Sequence, residues 1–355
     1  MIHPLTELYS VMNLLSPMRC ICFTLLLVCV GAGTVQGQTD RLYPTEGEAV
    51  IGRTKSLGKN EIVMSVGGKD QTFTPSDVTR ILFQGDPAEL TRGRELVLEG
   101  QYQQAFDELK KIDVAKLSRE MIKADAEFYL ADVQGQLALS GQGDLGAATK
   151  NVIGFVQAHP DSWHFYAATR LLGDLAKAIG NYDKAAQFYG YLGKSPSREL
   201  QIESVYQIGM IKLLQNELDP ALEALSKVAG LKPSSAGERR LQTFAKAGIA
   251  VITAKQGQGK EALDMVNDLI VQLNPTDTQA AAAIYNAQGA SYQALGDDEG
   301  ALLAYLHTQL SYSTHAAEHV EALKQLVELW NKVGKPDRAA QARGELQQRY
   351  PGLSG

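Results

Sequence analysis

The chain has 355 residues, 45% of them apolar and 21% charged, with a formal net charge of -6. That length holds two or three ordinary domains or one long array, and the composition is that of a soluble globular protein, not a disordered polymer. The acidic balance, with no run of five or more like charges, excludes a nucleic-acid surface built on clustered basic residues.

All three cysteines, Cys20, Cys22 and Cys29, lie in or beside an apolar run over residues 21–33. Its 13 residues are too few to span a bilayer as a helix. Arg19 precedes the run and Val35-Gln36-Gly37 follows it, the layout of a secretory signal peptide cleaved after Gly37, with Met18 as an alternative start. Residues 1–37 are therefore expected to be a signal peptide. The alternative is that the run is retained as an anchor. After cleavage the mature chain has no integral membrane segment and no cysteine, so it forms no disulfide or thiolate metal site and is expected in the periplasm, the cell envelope or the medium.

Residues 38–86 form the next segment, a linker followed by a small β domain. Residues 38–45 are polar and read as the linker. Strands are expected over 48–53, 61–66, 71–74 and 78–83, where β-branched and apolar residues alternate. Gly67-Gly68-Lys69-Asp70 is a hairpin turn and Pro75-Ser76-Asp77 breaks the chain. Strands this short and close suggest a small curled sheet that resembles an Sm-like or SH3-like barrel and needs a neighbour to pack against.

Residues 87–355 read as helices joined by glycine turns. Seven times a turn residue is followed five positions later by alanine: Gly100/Ala105, Gly143/Ala148, Gly180/Ala185, Asn216/Ala221, Gly257/Ala262, Gly296/Ala301 and Gly334/Ala339. Successive pairs lie 43, 37, 36, 41, 39 and 38 residues apart, a period that identifies a stacked repeat. The turn residue suits the left-handed position after a helix, which glycine takes freely and asparagine tolerates. The alanine falls early in the second helix, where a small side chain lets the two helices approach. Four residues on, the same face carries Leu109, Val152, Tyr189, Leu225, Val266, Tyr305 or Arg343. Six of these are apolar, so the face is buried, and Arg343 marks a unit with a wet outer face.

These residues resemble tetratricopeptide repeats. Gly289-Tyr292-Gly296-Ala301-Tyr305 matches that family's pattern closely. Gly173-Gly180-Ala185-Tyr189 and Gly209-Asn216-Ala221-Leu225-Pro233 match it in most positions, and Gly93-Leu96-Gly100-Ala105-Leu109 opens the array. One unit departs: Gly248 lies nine residues before Gly257 instead of seven, so either its first helix is longer or Ala250 takes the small position. The resemblance covers residues 87–351 and implies a mainly α, right-handed solenoid of seven helix pairs that binds proteins or peptides and has no catalytic residues and no cofactor.

Three constellations invite chemical readings. Gly193-Lys194-Ser195 has the end of a phosphate-binding loop, but Phe188 stands where the first glycine belongs and a helix precedes it, so it reads as a helix-ending loop. His315-Ala316-Ala317-Glu318-His319 spells the zinc motif H-x-x-E-H; without a third ligand it reads as two solvated histidines at a helix start, with a zinc-dependent hydrolase as the competing reading. His159-Pro160-Asp161-Ser162-Trp163-His164 sits at a join between units, where Asp161 or Ser162 is expected to cap the next helix. What remains is the concave face made by the first helices. Arg170, Asp174, Lys177, Tyr206, Met210, Asn286 and Gln293 are expected there, a polar mixture with isolated apolar anchors suited to an extended partner segment. The function expected is a non-catalytic protein-interaction scaffold of the cell envelope. In the alternative, the β segment binds cell-wall or polysaccharide material.

Overall fold

The computed structural model describes residues 39–353; the leader, its cysteines and its cleavage site lie outside them. Five strands come first: β1 Asp40–Pro44, β2 Val50–Leu57, β3 Ile62–Val66, β4 Lys69–Phe73 and β5 Val78–Leu82, with a short 3-10 turn over Pro75–Asp77 before β5. All pairings are antiparallel and the order across the sheet is β4-β3-β2-β1-β5. The hairpin between β3 and β4 closes through Gly67 and Gly68 alone, since Val66 already pairs with Lys69. Both glycines have positive φ, 57° and 83°, as the tightest hairpin turn requires.

The expected linker is a strand. In β1, Asp40 and Leu42 point inward and are fully buried, while Arg41 faces out. Composition misleads here because the residue that makes the strand worthwhile is an acid. Asp40 accepts hydrogen bonds from the backbone N–H of Thr54 (3.0 Å) and Gln84 (2.9 Å) and from Arg119 (2.8 Å), so it ties three segments together. Burial raises its pKa, and the Arg119 and backbone donors outweigh that and hold it below the ordinary aspartate value.

Fourteen α-helices follow among the described residues, in seven consecutive pairs: α1 Ala88–Leu98 with α2 Tyr102–Leu109, α3 Glu120–Leu139 with α4 Leu145–Ala158, α5 Phe165–Ala178 with α6 Tyr182–Leu192, α7 Arg198–Leu214 with α8 Leu218–Ala229, α9 Ala236–Lys255 with α10 Gly259–Gln272, α11 Thr278–Leu295 with α12 Asp298–Ser311, and α13 Ala316–Lys332 with α14 Pro336–Arg349. The seven alanines are all buried, as are the six apolar residues four positions later, and Arg343 is exposed. First helices approach second helices over glycine: a Cβ at Gly173 would run into the Tyr189 ring, one at Gly289 into Tyr305, and one at Gly93 into Leu109. In the departing unit Ala250 takes the small position, buried beside Val266, while Gly248 faces Leu225 of the preceding pair.

Six of the seven turn residues hold the left-handed conformation expected of them, Asn216 among them at φ 59°. In the second unit the left-handed residue is Gly141 (φ 81°), and Gly143 is not. Two extra residues separate it from the start of α4, which explains the longest gap in the spacing.

The sheet and the first units share one core. Leu42, Ile62, Met64, Ile81 and Phe83 are continuous with Leu90, Leu96 and Ile122, each fully buried aliphatic contributing about 1.5–3 kcal/mol. Across the same boundary Lys59 pairs with Asp161 at 2.8 Å, and the Tyr166 hydroxyl donates to Asn60 at 3.0 Å. At the far end, residues 350–353 turn back onto the second unit.

Candidate interaction groove

The first helices are laced to one another by polar side chains. Arg170 of α5 forks onto Glu203 of α7, with its second bond at 2.6 Å. Arg198 of α7 reaches Glu238 of α9 at 2.6 Å, and Arg240 of α9 reaches Asp277, the N-cap of α11, at 2.8 Å. Gln279 of α11 donates to Glu318 of α13 at 3.1 Å. These directional bonds add to the apolar packing in fixing the stagger of one unit on the next.

Of the residues expected on the concave face, Arg170, Asn286 and Gln293 are engaged in this lacing, and the others are held by neighbours in other ways. Asp174 accepts the Tyr189 hydroxyl at 2.7 Å and lies 3.4 Å from the Lys177 amine. Tyr206 stacks on Phe244 with ring centroids 5.9 Å apart, and Met210 packs in the adjoining apolar cluster against Gly248. Asn286 donates to the Glu318 carbonyl at 2.9 Å, leaving its own side-chain oxygen buried and without a partner. Gln293 accepts from the Tyr305 hydroxyl at 2.9 Å and donates to Gln325 at 3.1 Å.

The structure brings the first five of these residues onto neighbouring helices, and Asn286 joins them through Glu318. Burial pushes the Tyr206 hydroxyl up, and the charges of Glu318 and Glu203 add to that while Arg240 opposes it. Asp174 of α5 adds to it as well, so Tyr206 lies among charged side chains of its own helix and of three other units. Gln293 lies further along α11 and belongs to the lacing with α13.

Sequence reasoning missed Asp132 on α3. Burial pushes its carboxyl up to about 6, against the hydrogen bond from Gln136 (3.3 Å) and the attraction of Arg170 on the next first helix. An acid whose ionised form is disfavoured on a first helix is a candidate site group. The signal available was an aspartate flanked by Leu130, Ala131 and Val133.

A second polar centre lies between the sheet and the first two units. Arg94 is fully buried and bonds Asp86 at 2.6 Å and Asp125 at 2.7 Å. Asp125 also accepts from His164 at 2.7 Å, whose ring stacks on Phe128 and leans on Trp163 with centroids 3.7 and 3.9 Å away. Burial depresses the His164 pKa and Asp125 partly restores it, so the imidazole is driven toward the neutral form. Burial also favours protonated Asp125, and Arg94 and His164 outweigh it, so its pKa is lowered. Asp86 ends above the ordinary value because burial dominates. With every member engaged and no open face, this centre fixes the sheet to the array.

The 159–164 cluster belongs to that junction. Asp161 pairs with Lys59, Ser162 accepts the His164 N–H at 3.2 Å, and His164 takes the N-cap position without a side-chain cap. The expected capping by Asp161 or Ser162 is therefore absent. His315 and His319 do not converge: His315 bonds Thr278 at 2.8 Å, while His319 is fully buried and bonds the Tyr350 hydroxyl at 2.9 Å. The expectation that both are solvated fails for His319, which faces inward from α13. Among the described residues no group of three or more His, Cys, Asp or Glu is arranged to hold a metal ion. Lys194 and Ser195 lie in the loop between α6 and α7, where the Ser195 hydroxyl accepts the Ser197 N–H at 3.1 Å.

No protein-family model matches the chain, and no curated protein matches it. Solved structures do. A tetratricopeptide repeat protein from Parabacteroides merdae is 16% identical, with 74% of this chain aligned to 91% of that one and a TM-score of 0.50. A Rap protein complexed with competence and sporulation factor is 13% identical, with 75% of each chain aligned and a TM-score of 0.54. The described residues thus form a small antiparallel sheet followed by a TPR-like solenoid. No helix among them is long and apolar enough to cross a membrane.

Proposed function

We propose that this protein is a non-catalytic interaction scaffold that receives an extended segment of a partner protein against its first helices, and that it is exported by its leader to act in the cell envelope or periplasm. The observation that carries this reading is the convergence of first-helix side chains around Tyr206. Tyr206 of α7 stacks on Phe244 of α9, and the same run of first helices carries the Arg170–Glu203, Arg240–Asp277 and Asn286–Glu318 contacts, a combination that can recognise a peptide backbone together with isolated side chains. Asn286 supports it with an acceptor that no protein group satisfies. The solved Rap neighbour is complexed with a factor, so the fold itself accommodates a ligand.

Photo-crosslinking amino acids at Lys177 and Tyr206 test this, with Val271 and Leu303 as exposed positions on second helices for comparison. The groove positions are expected to capture one common polypeptide in intact cells and the comparison positions are not. Equal capture at both, or none at the groove, overturns the reading. Export is tested by sequencing the mature N-terminus, expected at Gln38.

A further inference from the structure

The array does not end as an open spiral. The segment that follows α14 runs back to the second unit and seats its backbone on the turn between α3 and α4. At Gly141 the approach is backbone to backbone: any Cβ there would strike the Arg349 carbonyl and the Tyr350 Cα. One step on, a Cβ at Gly352 would stand 3.0 Å from the Leu145 Cδ1, the first residue of α4. Leu353 packs against both the core of the first two units and the core of the last. Tyr350 is almost wholly buried and is pinned from its own unit by the bond from its hydroxyl to His319. Arg349 also donates to the Ser313 carbonyl at 3.1 Å.

We propose that residues 350–353 are a latch that closes the solenoid into a ring, and that it opens and shuts reversibly. The contact is small and made by a loop, with one apolar anchor, Leu353, and one backbone seat, Gly141. Local openings with so little buried apolar surface have low free energy. Closure also gives the last unit a second neighbour, where a linear array leaves it only one. The inference goes beyond the groove reading, because closure is read without any partner.

The test compares two glycines with the same backbone strain. Gly141 and Gly180 both have positive φ, 81° and 75°, so alanine strains each equally. Only Gly141 has anything against it; a Cβ at Gly180 meets nothing within 4 Å. The parent for both is the full chain with Cys20, Cys22 and Cys29 changed to Ser and with Leu145→Cys and Gly352→Cys, two positions that face each other across the contact, a Cβ at Gly352 standing 3.0 Å from the Leu145 Cδ1. The pair is expected to oxidise rapidly to an intramolecular disulfide without changing the radius of gyration. Gly141→Ala is expected to slow that oxidation by about tenfold or more and to enlarge the radius of gyration, while Gly180→Ala leaves both as in the parent. Oxidation no faster than in the urea-unfolded chain overturns the proposal, as does identical behaviour of the two alanine variants. If Gly141→Ala does not fold, Leu353→Ser replaces it and the same two outcomes apply. If locking the disulfide gives the same hydrogen-exchange protection at residues 350–353 as the reduced parent shows, the closure is permanent and the latch is overturned.

Discussion

Asn216 shows how much a single residue's backbone decides. It is the one non-glycine among the described residues with positive φ, and it stands where the other units have glycine. Asparagine tolerates that conformation, and alanine there is strained by about 1–2 kcal/mol. Asn216→Ala is therefore expected to lower stability by that amount in urea denaturation, and Asn216→Gly to change it by only a few tenths of a kcal/mol. Arg94 makes the opposite kind of contribution. It sits between two buried carboxylates, so Arg94→Met leaves uncompensated charge and is expected to cost about 3–5 kcal/mol. Loss of folded protein in thermal melts would show it.

Asp132 carries the reverse sign. Its folded pKa, about 6, lies above the ordinary 3.8, so the folded state resists ionising it. The cost is present in full above about pH 6 and vanishes below the unfolded value. Asp132→Asn is expected to stabilise the protein by about 1–3 kcal/mol at neutral pH and by nothing below about pH 4. A gain that persists unchanged into acid would mean that Asp132 is not the protonation-sensitive group. If the groove reading is right, the same variant weakens partner capture, since sites hold strain at the expense of stability.

At the scale of the element, the helix pair rests on one close approach. Gly173 lets α5 meet the ring of Tyr189 on α6, and the 173/180/185/189 pattern makes that legible without coordinates. Gly173→Ala is expected to cost about 1–3 kcal/mol through overpacking, measured by the urea midpoint, with helicity by circular dichroism retained at low denaturant. Periodic apolar residues made the helices legible, and Gly-to-Ala spacing made their pairing legible. β1 was not, because its pattern is carried by Asp40, and a buried acid is recognisable only once Arg119 and the Gln84 N–H are seen beside it. The turn at Gly141 was missed for a related reason: Gly141 and Gly143 are both glycines, and only the backbone angle distinguishes them.

For the molecule as a whole, the sheet and the array stand or fall together. The continuous core and the Asp86–Arg94–Asp125–His164 centre span the boundary between them, so polymer binding by the β segment is meaningfully tested only in the full chain. His164 and His319 both have folded pKa values below the ordinary 6.5, through burial. The unfolded chain then binds more protons just below that pH, so stability is complete above it and declines as pH falls through it. Asp125, depressed below 3.8, adds a second loss as pH falls further. Because the Asp132 cost lifts over part of the same range, the measurement is made in Asp132→Asn, whose urea midpoint is expected to drop between about pH 7.5 and pH 5.5; a flat profile in that variant would show that the two imidazoles are not held neutral in the fold.

By itself the sequence determined the repeat, its seven units and their buried faces, because those follow from local backbone preference and helical periodicity. The tertiary structure alone decided which first-helix side chains are engaged within the protein. Arg170, Asp174, Asn286 and Gln293 are engaged by residues more than a dozen positions away, and such pairings depend on the stagger of whole helices. It alone also brought residue 349 to residue 141, a contact fixed by the small rotation of each unit on the next, summed along the array, and written in no single motif.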